Sequence, residues 1–185
     1  LVGTDPGISA VYNGGTHMSF EDVGMMRLVP DLTIVEPSDT VSCAALVKAV
    51  AEHEGCVYLR MHRKGSQQLY PENTQFELGK GMVLRDGDDV TLIASGFILV
   101  AEALKAAELL KEAGISAAVI DMHTVKPLDN ELVLKYAEKT GAIVTCENHQ
   151  IVGGLGGAVA ELLAEQRPTF MGRIGSQNKF GQVGT

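Results

Sequence analysis

The sequence predicts an α/β protein in two parts. A truncated α/β segment runs to residue 64, and after a linker over 65–79 a complete parallel-sheet domain in three layers fills 80–185. Three observations carry this expectation. Short runs of β-branched and aliphatic residues alternate with longer amphipathic stretches. Glycines stand where those stretches should stop, at Gly55, Gly114 and Gly141. The short runs are apolar throughout rather than alternating, which marks strands covered by helices on both faces.

In chain order, Leu1-Val2-Gly3 reads as the end of a strand, followed by a Gly-rich loop over residues 4–15 and a helix from near Ser19. Thr33-Ile34-Val35 is a strand. Pro37-Ser38-Asp39 then opens a helix with Ser38 or Asp39 as its cap, because a short side-chain oxygen can accept from the orphan N–H groups of the first turn. That helix reaches about Glu54 on Val41, Ala45, Leu46, Ala49 and Val50, and Cys56-Val57-Tyr58-Leu59-Arg60 is the next strand. One or two such units cannot cover their own apolar faces, so the segment needs neighbours.

Residues 64–79 are polar and carry turn signals, as an interdomain linker should. Val90-Thr91-Leu92-Ile93-Ala94 is a strand, and residues 97–113 place Val100, Leu104, Ala107 and Leu110 on one helical face. Strands at 117–120 and 142–145, helices at 129–140 and 154–166, and a last strand at 169–174 complete the cycle. The crossovers should be right-handed.

Composition narrows the function. The chain has 185 residues, 45% hydrophobic and 21% charged, which is ordinary globular material. A net charge of −8 argues against nucleic acid, whose phosphates need clustered cations. The best basic cluster, Arg60, His62, Arg63 and Lys64, suits one small phosphate at most. No apolar run approaches the ~20 residues of a membrane helix, so no membrane partner is expected. Cys43, Cys56 and Cys146 are widely spaced and read as buried small hydrophobes in a reducing compartment, hence the cytoplasm. The first residue is not Met, which points to an internal fragment.

Two stretches carry chemistry. The loop after Gly3 leads through Gly14-Gly15 to Thr16-His17 and Glu21-Asp22, and in parallel α/β folds such loops lie at the carboxyl ends of strands, where ligands bind. An imidazole there can donate to a carbonyl or carry a proton at neutral pH. The alternative is that His17 caps a helix and the two acids are solvated. Arg60-Met61-His62-Arg63 follows a strand, and arginine grips oxyanions through two parallel N–H donors. The alternative there is a surface rim of snorkelling side chains. Gly153-Gly154-Leu155-Gly156-Gly157 fits neither the dinucleotide fingerprint nor the P-loop and reads as close helix packing. The clusters Asp121-Met122-His123 and Glu147-Asn148-His149 lack metal-ligand spacing and read as structural loops at strand ends.

At Gly14-Gly15-Thr16-His17, Glu21-Asp22, Met26-Arg27, Pro30 and Glu36-Pro37-Ser38-Asp39 the chain resembles transketolase, above all the carboxyl-terminal half that some bacteria encode as a separate subunit. The likeness continues through residues 87–96, Lys126-Pro127-Leu128-Asp129, 147–157 and 180–185. The resemblance implies that 1–64 is the carboxyl-terminal part of a pyrimidine-binding domain of a thiamine diphosphate enzyme, and 80–185 the family's C-terminal domain. It implies a diphosphate-binding N-terminal subunit or domain as partner, which also holds Mg²⁺, in a homodimer or heterotetramer. The implied reaction moves a two-carbon ketol unit between sugars, often sugar phosphates.

His17 then matches the catalytic histidine that hydrogen-bonds the donor's carbonyl and hydroxyl groups. Arg63 matches the arginine that holds the substrate phosphate, with Arg60 as its neighbour. Asn13 stands where the family usually has an aspartate that reads a substrate hydroxyl, and Asp5 where many members have a phosphate-binding histidine. A carboxylate at position 5 would repel a phosphate. The family's cofactor-activating glutamate and its aromatic pocket lie upstream of Leu1, so no cofactor-binding residue or metal ligand is assigned within the chain. Two other thiamine diphosphate enzymes are the alternatives, a 1-deoxyxylulose-phosphate synthase and the β subunit of a 2-oxo acid dehydrogenase. Phe20-Glu21-Asp22 after the histidine follows the transketolase style instead. A non-catalytic dimerisation or regulatory fragment is the remaining reading.

Overall fold

A computed structural model describes residues 1–63 and 65–183. Lys64 of the basic cluster, and Gly184 and Thr185 of the closing motif, lie outside the described residues. Two sheets organise the chain. The first contains β1 (Val2–Thr4), β2 (Thr33–Val35) and β3 (Val57–Met61), with α1 (Asp22–Arg27) and α2 (Thr40–Glu52) between them. The second contains β4 (Met82–Arg85), β5 (Val90–Ala94) and β6 (Ala117–Asp121), then β8 (Ala142–Gln150) and β9 (Phe170–Ser176). Its helices are α3 (Gly96–Glu112), α4 (Asn130–Thr140) and α5 (Leu155–Gln166). The strand β7 (Thr124–Lys126) leaves this second unit and pairs antiparallel with β2, giving sheet orders β1-β3-β2-β7 and β4-β6-β5-β8-β9.

The parallel core has the expected register. β5 runs parallel to both β6 and β8, with Leu92 opposite Val119 and Val144. Side chains alternate across it: Leu92 and Ala94 pack under α3, and Ile93 packs with Val133, Tyr136, Val159 and Leu162 of α4 and α5. That is the three-layer arrangement. The same core cluster continues into Val23, Leu32, Ile34 and Tyr58, so the two sheets share one apolar interior.

Two strands depart from the all-parallel expectation: β4, antiparallel to β6 at the sheet edge, and β7. Both are short and flanked by turn residues, and neither has a β-branched run to announce it. The linker is also more anchored than its polarity implies. The backbone N–H groups of Leu69 and Tyr70 donate to Asp39 Oδ2 at 2.8 and 3.0 Å. Asp39 is the cap of α2, accepting from Ser42 N in a reciprocal capping box.

The first helix begins at Asp22, not near Ser19. The carbonyls of Ser19 and Phe20 are taken by Gly7 N and Gln150 N, both at 2.8 Å, which diverts them from a first helical turn. Of the cysteines, Cys146 is buried, Cys43 half-buried and Cys56 exposed, so Cys56 is not the buried hydrophobe expected. Glu147, Asn148 and His149 lie on β8, which runs five residues beyond the predicted 142–145, and Asp121 ends β6. They are strand residues facing the junction of the sheets, not loops. Among the described residues no helix is long and apolar enough to cross a membrane.

Candidate active site

The loop after β1 and the turn after β3 leave the same edge of one sheet. Parallel pairing sets Gly3 opposite Arg60 and Thr4 opposite Met61, and Asp5 N donates to Met61 O at 3.0 Å. Strand polarity therefore brings both sequence-predicted stretches to the carboxyl end of β1 and β3, where ligands of such sheets bind.

Asp5 and Arg63 meet directly. Arg63 N donates to Asp5 Oδ1 at 3.0 Å, and the Arg63 Nε pairs with Asp5 Oδ2. Asp5 is buried and holds φ at 56°, a left-handed conformation that Asp tolerates better than most residues. The Arg63 side chain is 68% exposed. His17 and Asn13 are exposed on the loop above. Thr16 Oγ1 lies 2.9 Å from His17 Nδ1, and with the hydroxyl as donor the ring proton sits on Nε2, facing outward. Among the described residues no hydrogen bond or ion pair joins His17 or Asn13 to the Asp5–Arg63 pair.

The loop bearing His17 is seated from two sides. Asn148 of β8 donates through Nδ2 to Pro6 O at 2.9 Å and accepts from Ile8 N at 3.0 Å. The segment after β9 covers the other side. A Cβ on Gly15 would lie 2.5 Å from Gly181 O, and one on Gly181 would lie 2.7 Å from Met18 Cβ. These two glycines allow the close approach of two backbones.

Arg60 does not join a substrate surface. It is 1% exposed, and every guanidinium nitrogen is engaged inside the protein. Nε and Nη2 donate to Asp22 at 2.7 and 3.1 Å, Nη1 to Glu36 at 2.5 Å, and Nη2 also to Asn148 O at 2.8 Å. Tyr58 OH donates to Asp22 and Ser95 Oγ to Glu36, both at 2.8 Å. Burial works against ionisation of Asp22, yet the Arg60 charge and the donated hydrogen bonds outweigh it and hold the carboxyl below the usual range. The same two acids hold Arg60 above its ordinary value despite its burial. The reading that leaves Asp22 solvated does not hold; Asp22 is the anchor of this cluster. The signal in the sequence is a lone Arg closing an apolar strand, with Glu36 closing its neighbour.

A second buried cluster sits where Ser38, Tyr70 and Asp121 meet. Tyr70 OH donates to Asp121 Oδ2 at 2.7 Å, Ser38 Oγ donates to the same oxygen, and Oδ1 has no partner among the described residues. Burial, with the Asp39 and Glu36 charges, pushes Asp121 up to about 7 against the two donated hydrogen bonds. Burial likewise pushes His123 down to about 4. The N-terminus of α5 is closed by the chain itself: Glu147 accepts from Leu155 N and Gly156 N at 2.7 and 2.8 Å. The Gly-rich stretch there packs closely and holds no phosphate site of its own.

The fold defines an α/β protein of two parallel-sheet units, the first of which presents the loops after β1 and β3 at one edge. Two family models match, "Transketolase, pyrimidine binding domain" over residues 1–68 and "Transketolase, C-terminal domain" over 79–178. The chain belongs to the transketolase family. It is 50% identical over 184 residues to the 6-deoxy-6-sulfo-D-fructose transketolase subunit SqwH of Clostridium sp. (strain MSTE9), covering all of this chain and 57% of that protein. It is 38% identical over 176 residues to 1-deoxy-D-xylulose-5-phosphate synthase 1 of Geobacter sulfurreducens, covering 93% of this chain and 28% of that protein. Among solved structures it is similar to a split gene transketolase described as an inactive beta4 tetramer, at 41% identity and a TM-score of 0.91, covering 98% of this chain and 58% of that one. The chain thus spans little more than half the length of these two transketolase relatives.

Proposed function

We propose that this chain is part of a ketol-transferring subunit that works with a diphosphate-binding partner subunit or domain. The observation that carries the reading is the convergence of the His17 loop and the Arg63 turn at the carboxyl ends of two adjacent parallel strands. In the reaction, the bond between the carbonyl carbon and the next carbon of a ketose breaks. The shortened sugar leaves as an aldehyde, and the two-carbon unit joins the aldehyde carbon of an acceptor. Thiamine diphosphate, when bound with Mg²⁺ held by the partner, supplies the carbanion chemistry. His17 offers Nε2–H to the donor's oxygens, and Thr16 fixes the ring that offers it. Asn13 lies on the same loop, within the reach of a sugar hydroxyl.

Residues 1–64 act as the pyrimidine-side domain and 80–185 as a domain that braces it. A homodimer of two-part units or a heterotetramer in the cytoplasm suits this division. The 50% identity to a sulfosugar transketolase subunit favours ketol transfer over the synthase reaction. The test is aldose release from a ketose by the full-length chain with its partner, thiamine diphosphate and Mg²⁺. His17→Asn should lower kcat/KM by about 10²–10³, the scale of one lost transition-state hydrogen-bond donor. Turnover of pyruvate in place of ketose would overturn the assignment in favour of the synthase class.

A further inference from the structure

We propose that Asp5 and Arg63 together read the far end of the sugar and select a singly charged sulfonate over a doubly charged phosphate. This rests on the ketol-transfer reading and names the substrate class of that site. The pair stands at the carboxyl ends of β1 and β3, joined by the Arg63 N–H bond to Oδ1 and by the Nε ion pair to Oδ2. Both Asp5 oxygens are therefore engaged by one residue, and burial with a left-handed backbone keeps the carboxylate from swinging aside. Engagement through Nε leaves Nη1 and Nη2, which have no partner among the described residues, on a side chain 68% exposed. What remains is a two-pronged N–H fork aimed at solvent, the geometry that takes two oxygens of a tetrahedral oxyanion.

Charge decides which oxyanion. The pair is neutral as a unit, so the carboxylate behind the fork cancels most of the extra attraction a bare arginine would offer a second negative charge, and a doubly charged group loses more hydration than the pair returns. A phosphate monoester carries about −1.5 to −2 near pH 7, because its second ionisation falls near pH 6. A sulfonate carries a single charge at any working pH. The carboxylate's effect on one additional charge about 6 Å away, in partly screened surroundings, is worth about 10- to 100-fold relative to an unpaired arginine. The relative that shares half of this chain's residues is named for a 6-deoxy-6-sulfo sugar, which ends in such a group.

The test uses the full-length chain assembled with its partner. Initial rates are measured with 6-deoxy-6-sulfo-D-fructose, with fructose 6-phosphate, and with erythrulose, which has no anionic end. The expected sulfonate-to-phosphate ratio of kcat/KM is well above one for the wild type. Asp5→Asn keeps an acceptor for Arg63 N–H and tolerates the left-handed backbone; it should lower that ratio about tenfold or more, by improving the phosphate donor. Arg63→Leu should cost both anionic donors about 100-fold, the scale of a lost charged bidentate contact. A wild-type ratio of one or less, or an Asp5→Asn ratio unchanged within twofold, overturns the proposal. Erythrulose turnover without discrimination between the anionic donors sinks the selector alone, whereas no turnover of any ketose sinks ketol transfer and the selector with it.

Discussion

Replacing Arg60 by Leu should be among the most destabilising single changes in this chain. The guanidinium makes four hydrogen bonds at 2.5–3.1 Å, three of them to the carboxylates of Asp22 and Glu36 and one to a β8 carbonyl. Leucine fills much of the space but leaves two acids unpaired, each almost fully buried. Removing one partner of a buried ion pair costs about 3–5 kcal/mol, and for a chain of this size each kcal/mol lowers Tm by about 2–4 °C, so a fall of about 6–20 °C is expected. Arg60→Lys should recover only part, since an ammonium cannot bridge both acids with the planar fork. The pH dependence is the sharper check. In the wild type the lowered Asp22 ionisation contributes stability above its unfolded value of 3.8 that is lost as pH falls. Without Arg60, burial acts on Asp22 against only the Tyr58 hydrogen bond and the His149 charge and raises its folded value, so the variant's deficit should shrink as Asp22 protonates toward pH 4.5. Thermal melts followed by circular dichroism at pH 4.5 and 8 measure both effects. A variant that melts within 2 °C of wild type at pH 8, or whose deficit does not depend on pH, would refute the reasoning.

Two further outcomes are expected. Asp121 is held near 7 in the fold against 3.8 unfolded, so its neutral form is favoured and its contribution is full below pH 3.8 and lost as pH rises through 7. Asp121→Asn should therefore gain about 3 kcal/mol on wild type between pH 4.5 and 8 in denaturant titrations, and a parallel pair of pH profiles would count against it. His123 acts with the opposite sign, its low folded value costing stability as pH falls from 6.5 toward 4, so the variant should expose that slope where the wild type is nearly flat. Gly181→Val forces a side chain against Met18 Cβ, so it should lower ketose turnover of the assembled enzyme about tenfold or more through the His17 loop, with a Tm change under about 5 °C. Unchanged turnover would show that the covering segment does not set the loop.

The layers were legible because the sequence writes them locally. Val90-Thr91-Leu92-Ile93-Ala94, the amphipathic stretch behind it and the stops at Gly114 and Gly141 each need only a few neighbouring residues to declare themselves, and each appears within a residue or two of its expected place. The strands that went unread, β4 and β7, take their existence from partners 37 and 89 residues distant, Ile120 opposite Val83 and Thr124 opposite Val35. Arg60 shows the same limit at the site. From sequence it stands beside Arg63 in one basic cluster, yet Arg60 lies within β3 and Arg63 in the turn two residues past its end, and the two side chains end in opposite circumstances. One is sealed among carboxylates; the other reaches solvent.

What the sealed arginine does explains why this fold places polar groups where apolar packing would serve for stability. Its Nη2 holds the carbonyl of Asn148, whose side chain in turn grips Pro6 O and Ile8 N in the loop after β1. Hydrogen bonds fix direction and register where methyl groups would permit sliding, and α1 is pinned to the same strand by Gly24 N donating to His149 Nε2 at 3.1 Å. His149 Nδ1 lies 2.7 Å from Gln150 O, so that ring is neutral with its proton on Nδ1 and Nε2 free to accept. A strand of the second sheet thereby sets both ends of the segment that carries His17, before α1 and after β1. The carboxyl-terminal half is thus a determinant of the site's geometry although none of its side chains faces the ligand edge as a predicted catalytic group, and separating the halves would release the loop even with every residue of the first sheet intact.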